Sequence, residues 1–193
     1  MKRRPLLGHL GATVTVAAAS VAGLRAAHAQ AAHAQTPAAA APAAPAASTG
    51  RPIFVLNSQD ADVSVVDPVA YTVVKRLPTG KEPHHLYLAP DEKTLIVANA
   101  GSNSLTFLNP QTAAVLRTVT GVIDPYHLRF SPDMKWFVTA ANRLNHVDLY
   151  LWQGAQAPEP LKLVKRISAP KTPSHLNIDS KSSVVYVSLQ DSD

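Results

Sequence analysis

Three histidines recur at one place in a repeated pattern. His85, His127 and His175 each stand two residues after a proline, Pro83, Pro125 and Pro173, and each is followed by a leucine. The intervals are 42 and 48 residues. Neutral imidazole is the commonest nitrogen ligand for copper, iron and zinc, so equivalent histidines brought to one height would suit a metal site, a copper cluster or axial ligation of haem. Duplication alone also explains the pattern, if each histidine merely hydrogen-bonds within its own repeat. The residues that follow keep a period of two. His85, Tyr87 and Ala89, then His127, Arg129 and Ser131, then His175, Asn177 and Asp179 fall on one side of an extended chain, with leucine, phenylalanine and isoleucine on the other.

The histidine strand opens a longer repeat. Pro83 to Asn99 is echoed by Pro125 to Asn142, and a looser copy begins at Pro173. Between them lie short apolar runs separated by turn residues, including Pro90-Asp91, Asn109-Pro110 and Pro132-Asp133. Runs this short, rich in β-branched residues and bounded by such turns, predict strands rather than helices. Four strands in about 42 residues is the blade of a β-propeller. The predicted fold is therefore all-β, with four-stranded antiparallel blades over residues 51–193. The strand count is three, four, four and two, a partial ring of about three and a quarter blades. A closed ring needs roughly twice this length, so the missing blades are expected from a longer chain or from a second copy. The extra six residues of the last interval fall in Leu151 to Pro160, a longer connection that starts with Trp152, expected to cover the blade's outer edge.

At these residues the chain resembles the YVTN family of β-propeller repeat proteins. The second strand of each repeat carries the resemblance: Leu95-Ile96-Val97-Ala98-Asn99, Phe137-Val138-Thr139-Ala140 and Val185-Tyr186-Val187-Ser188, the first two after Pro-Asp turns. It covers residues 52–193. The resemblance implies an innermost strand lining a central channel, with ligands taken at the face where the histidines begin. That face would also carry Asn99, Asn103, Arg129, Asn142, Arg143 and Asn145, as dressing for a site or as turn formers. Propellers of lactonases, of d-type-haem nitrite reductases and of nitrous-oxide reductase are similar in look. The readings that follow are a binding module for an unidentified small molecule or protein; a copper or haem centre on His85, His127 and His175; and a lactonase-like hydrolase in which Arg129 or Arg143 polarises a carbonyl and a histidine is the base. His84 is expected to face solvent. His146 begins a third strand and has no counterpart in the other repeats.

Residues 1–34 read as a signal peptide: a basic start, an apolar stretch from Leu6 to Leu24, and Ala-His-Ala before Gln30 or Gln35. Arg3-Arg4 followed by Pro5-Leu6-Leu7 resembles a twin-arginine export signal. Residues 35–50, rich in Ala and Pro, read as a disordered linker. The product is expected in a bacterial periplasm or outside the cell, with no stable membrane span once the leader is cut. The basic excess lies in the leader: the whole chain has 18 basic and 13 acidic residues, but residues 51–193 carry 14 and 13. Nucleic acid is therefore not an expected partner. The absence of cysteine excludes disulfides, thiolate metal sites, Cys-x-x-Cys-His haem attachment and cysteine nucleophiles.

Overall fold

A computed structural model describes residues 50–191. The predicted signal peptide and most of the linker lie outside the described residues. Thirteen strands form four antiparallel sheets, called blades 1 to 4 here. Blade 1 holds β1 (Ile53–Asn57), β2 (Asp62–Val66) and β3 (Val73–Pro78). Blade 2 holds β4 (Pro83–Leu88), β5 (Leu95–Asn99), β6 (Ser104–Leu108) and β7 (Val115–Thr120). Blade 3 holds β8 (Pro125–Phe130), β9 (Trp136–Ala141), β10 (His146–Trp152) and β11 (Leu161–Ser168), and blade 4 holds β12 (Pro173–Ile178) and β13 (Val185–Leu189). Each sheet is a meander in sequence order, three, four, four and two strands as the repeat predicts. The sheets are not closed into a ring.

The turns follow from their side chains. Asp91 Oδ1 accepts from the backbone N–H groups of Lys93 and Thr94, both at 2.9 Å, and its Oδ2 takes the Thr94 hydroxyl. At the next blade Asp133 Oδ1 accepts from Lys135 N–H and the Ser131 hydroxyl. The third copy lacks this Pro-Asp, and Asp179 at the strand's end takes over by accepting from Ser183 and Val184 N–H. Asp67 closes the β2–β3 turn and Asn109 the β6–β7 turn in the same way, each through Oδ1 to backbone amides two and three residues on.

Period-two alternation then gives each sheet two apolar faces, and blades stack face to face. Val63, Val65 and Leu77 of blade 1 meet Leu95, Val97 and Leu108 of blade 2. Ile96, Leu105 and Phe107 of blade 2 meet Leu128, Phe130 and Phe137 of blade 3. Val138 and Val147 of blade 3 meet Leu176 of blade 4. Leu86, Leu128 and Leu176, one position after the histidines, thus each anchor their inner strand to the preceding blade.

The insertion differs from its reading. Leu151 and Trp152 extend β10, and β11 lengthens to match, so residues 153–160 alone form the loop. Trp152 does not cover an outer edge: its ring meets Phe130 edge-on at 5.1 Å and lies 6.3 Å from Phe107, between blades 2 and 3. Arg117 on β7 holds the loop by donating to the carbonyls of Ala157 and Pro158.

Candidate metal centre

The three histidines sit on the inner strands β4, β8 and β12 of consecutive blades. Each inner strand has a register shift near its start, where one extra residue bulges against the second strand. Pro83 pairs Asn99 while His85 pairs Ala98; Pro125 pairs Ala141 while His127 pairs Ala140; and the shift in β12 lies between Pro173 and Leu176. Proline offers no N–H to the ladder, and a bulge beside it bends the strand and re-aims the following side chain. The repeat of proline, bulge and histidine therefore points three imidazoles the same way. Their ring centroids are 4.4 Å apart for His85 and His127, 5.0 Å for His127 and His175, and 5.5 Å for His85 and His175. One ring nitrogen of each lies within 4.8 Å of the others.

Second contacts orient the rings. His85 Nδ1 is 2.7 Å from the carbonyl oxygen of Tyr126. A carbonyl can only accept, so Nδ1 carries the proton and Nε2 keeps its lone pair. His175 Nδ1 is 2.9 Å from the Ser174 hydroxyl. His127 is buried, and its Nδ1 has no hydrogen-bond partner. A buried polar nitrogen without a partner costs free energy that a bound ion would offset.

The residues one place after each proline, His84, Tyr126 and Ser174, were missed as a set, although the repeat brings them to the same position. Each touches the cluster. The His84 ring stacks on Tyr126 with centroids 3.8 Å apart, and its Nδ1 is 3.0 Å from His85 Nδ1. His84 is thus half-buried against Tyr126 rather than facing solvent.

Burial, with the neighbouring charges, favours the neutral ring at His127, His85 and His84. Loss of water, followed by the neighbouring His85, His175 and Arg129, pushes His127 down to about 3. Burial also lowers His85, opposed by the bond to Tyr126, and lowers His84. A neutral ring presents a lone pair at pH 7, which is the state that ligates metal.

Below the histidines Arg129, two residues after His127, reaches across the channel side. Its Nε is 3.4 Å from the Leu176 carbonyl, Nη1 is 3.4 Å from the Tyr87 hydroxyl, and the guanidinium carbon stands 5.6 Å from the Tyr87 ring centre. A cavity of about 490 Å³ runs beside this tier, lined by His127, Arg129, His175, Asn177, Tyr186 and Ser188.

The loop residues read as dressing for the site or as turn formers bond within their own sheet or to the next blade. Asn99 is fully buried and donates to the hydroxyls of Ser104 and Thr106 in its own sheet. Asn103 and Asn145 adopt positive φ, 51° and 56°, in equivalent turns, which asparagine tolerates better than most residues. Their Oδ1 atoms accept from Asp124 N–H and Thr172 N–H, on the segments leading to the next inner strands. Asn142 donates to the Pro173 carbonyl and to Gln190. Arg143 pairs with buried Asp124 at 2.9 Å and with Glu82 at 2.7 Å. The charge of Arg143 is matched by these two carboxylates, whereas among the described residues Arg129 pairs with none.

His146 is also accounted for by the fold. In register it occupies the place of Asp62 in blade 1 and Ser104 in blade 2, each opposite a second-strand asparagine, Asn57 or Asn99. Blade 3 has Ala141 there, and the imidazole stands buried where the amide would be. Its Nε2 is 3.5 Å from Asp148, whose two carboxylate oxygens receive Arg166 at 2.7 Å each.

Face-to-face four-stranded meanders with an inner strand offering histidines to a common axis define a β-propeller. The chain belongs to the YNCE-like β-propeller family, whose signature matches residues 12–193. No curated protein matches its sequence. Among solved structures, the hydrazine synthase of Kuenenia stuttgartiensis is 21% identical with a TM-score of 0.58, over 72% of this chain and 39% of that one. A proposed 6-phosphogluconolactonase from Bacteroides uniformis is 15% identical with a TM-score of 0.59, over 74% and 45%. A protein from Lactobacillus plantarum is 18% identical with a TM-score of 0.59, over 72% and 47%. The chain therefore spans less than half the length of these structures, and at such identities the likeness is one of fold. Among the described residues no helix is long and apolar enough to cross a membrane.

Proposed function

We propose that this chain is an exported metal-binding propeller module, with His85, His127 and His175 as the ligands of one transition-metal ion. The observation that carries the reading is the convergence of three ring nitrogens to within 4.8 Å from three separate blades. The unpartnered, buried Nδ1 of His127 supports it. A four-coordinate ion with bonds of about 2.0–2.1 Å would draw the nitrogens to about 3.3 Å from one another, which small side-chain rotations accomplish. Three protein ligands leave a position for water or another ligand. The set is all nitrogen, which suits copper or zinc better than magnesium or calcium.

Haem fits less well. Its macrocycle fills four positions around the iron and leaves only axial ones, whereas three imidazoles here converge on a point. Export follows from the leader read in residues 1–34, and a periplasmic address is part of this proposal.

The test is metal content. Protein purified from the periplasm, or reconstituted with Cu(II) or Zn(II), should hold about one equivalent, and a folded His85→Ala, His127→Ala, His175→Ala variant should hold none. Equal metal in both proteins would overturn the assignment.

A further inference from the structure

The tier beneath the histidines carries a charge that the metal site alone does not explain. Arg129 is the only cation among Tyr87, Arg129 and Asn177, the residues two places after the three histidines. Among the described residues no carboxylate forms an ion pair with it, in contrast to Arg76, Arg143 and Arg166, each of which has one. Its contacts are two neutral oxygens at 3.4 Å, long for hydrogen bonds, and the face of Tyr87. A guanidinium has five donors in a planar fork and cannot lose its proton, so most of its capacity faces the cavity unspent. That cavity is shared with His127 and His175.

We infer that the site takes a small anion, a carboxylate or inorganic oxyanion, bound with one oxygen at the metal's open position and another on the Arg129 guanidinium. The inference rests on the metal reading above. Residues two apart on a strand share a face about 6.6 Å apart along the backbone, and His127 and Arg129 line one cavity, where a two-oxygen anion can reach both an ion on the histidines and the guanidinium. Two positive centres separated by this distance repel each other, and an anion between them removes the repulsion. Tyr87 and Asn177 supply neutral donors on either side of the arginine. A cavity of about 490 Å³ admits formate, acetate or nitrite with water to spare. The same argument disfavours a cationic or apolar ligand, since neither would neutralise Arg129.

The probes are formate, nitrite and azide titrated into Cu(II)-loaded protein, followed by charge-transfer absorption and by calorimetry. Arg129→Gln keeps most of the side chain's length and polarity and removes the charge; Arg129→Lys keeps the charge and loses the fork. Wild type should bind formate and nitrite, Arg129→Gln should bind them at least tenfold more weakly with unchanged copper stoichiometry, and Arg129→Lys should recover part of the loss. Azide, a three-atom anion of similar span, should weaken in Arg129→Gln as well. Formate and nitrite binding that is the same in wild type and Arg129→Gln, both copper-loaded, would overturn the inference and leave the metal site standing. A wild-type protein that takes up no copper or zinc removes the reading beneath it, and the inference falls with it. Thermal melting of both variants checks that a lost anion is not a lost fold.

Discussion

His85 Nδ1 lies 2.7 Å from the main-chain oxygen of Tyr126, so a residue of blade 2 has its tautomer chosen by the backbone of blade 3. The bond also ties the two inner strands together at the level of the cluster. His85→Ala should therefore lower metal affinity by more than the 10–100-fold typical of losing an orienting partner, since it removes the ligand itself. Titration against a competing chelator measures this. A loss smaller than tenfold would mean that His85 is not a ligand.

The depressed proton affinity of His127 has a consequence for stability in the metal-free chain. Unfolded, this histidine takes up a proton near pH 6.5, whereas in the fold it stays neutral down to about 3. Between those values the unfolded chain binds the extra proton, so the contribution is fully present above about pH 6.5 and is lost as the pH falls toward 3. Melting of chelator-treated protein should show this acid slope, and His127→Gln should flatten it. Parallel slopes for the two proteins would contradict the assignment.

Asp124 and Arg143 should separate structural loops from the site. Asp124 is buried and accepts from the N–H groups of Arg143 and Leu144 as well as from the guanidinium. Asp124→Ala strands those donors and should cost about 1.5–3 kcal/mol. Arg143→Ala should cost about 1 kcal/mol or less, because its head is half exposed and Asp124 keeps both amides. Urea unfolding gives the order, and metal affinity should stay near wild type in both. A large drop in metal binding for Arg143→Ala would return that loop to the site.

Phe137 and Phe107 face each other's blades in the 2–3 core, and both are essentially inaccessible to solvent. Phe137→Ala should cost about 3–5 kcal/mol, the usual range for emptying such a site. If a melting experiment shows a loss under 1 kcal/mol, blades 2 and 3 do not stack as described.

Several features were legible because they are local. Asp91, Asp133, Asp67 and Asn109 form their turns with amides two or three residues away, so the strand count of three, four, four and two could be read from a single line of residues. Alternation at Leu86, Leu128 and Leu176 gave the face that meets the preceding blade. Asn103 and Asn145 stand in turns, one of the two readings of these loops, but the partners of Asn103, Asn142, Asn145 and Arg143 could not be read because they are not local. The amide that Asn145 Oδ1 accepts from is on Thr172, and the carboxylate beside Arg143 is on Asp124, 19 residues back. His146 was unreadable for a related reason, since its role depends on Ala141 replacing an asparagine on the neighbouring strand.

By itself the sequence determined the period, the blade unit, the positions of the three histidines and the absence of any thiolate alternative, because these rest on residue type and spacing. Only the tertiary structure decided that the histidines converge, that His127 is buried with a free nitrogen, and that Arg129 stands beneath them with no ion-paired carboxylate among the described residues. Those facts depend on how consecutive blades stack and how a bulge after each proline turns its strand. Repetition gives equivalent positions in the chain, and the stacking of blades makes them neighbours in space.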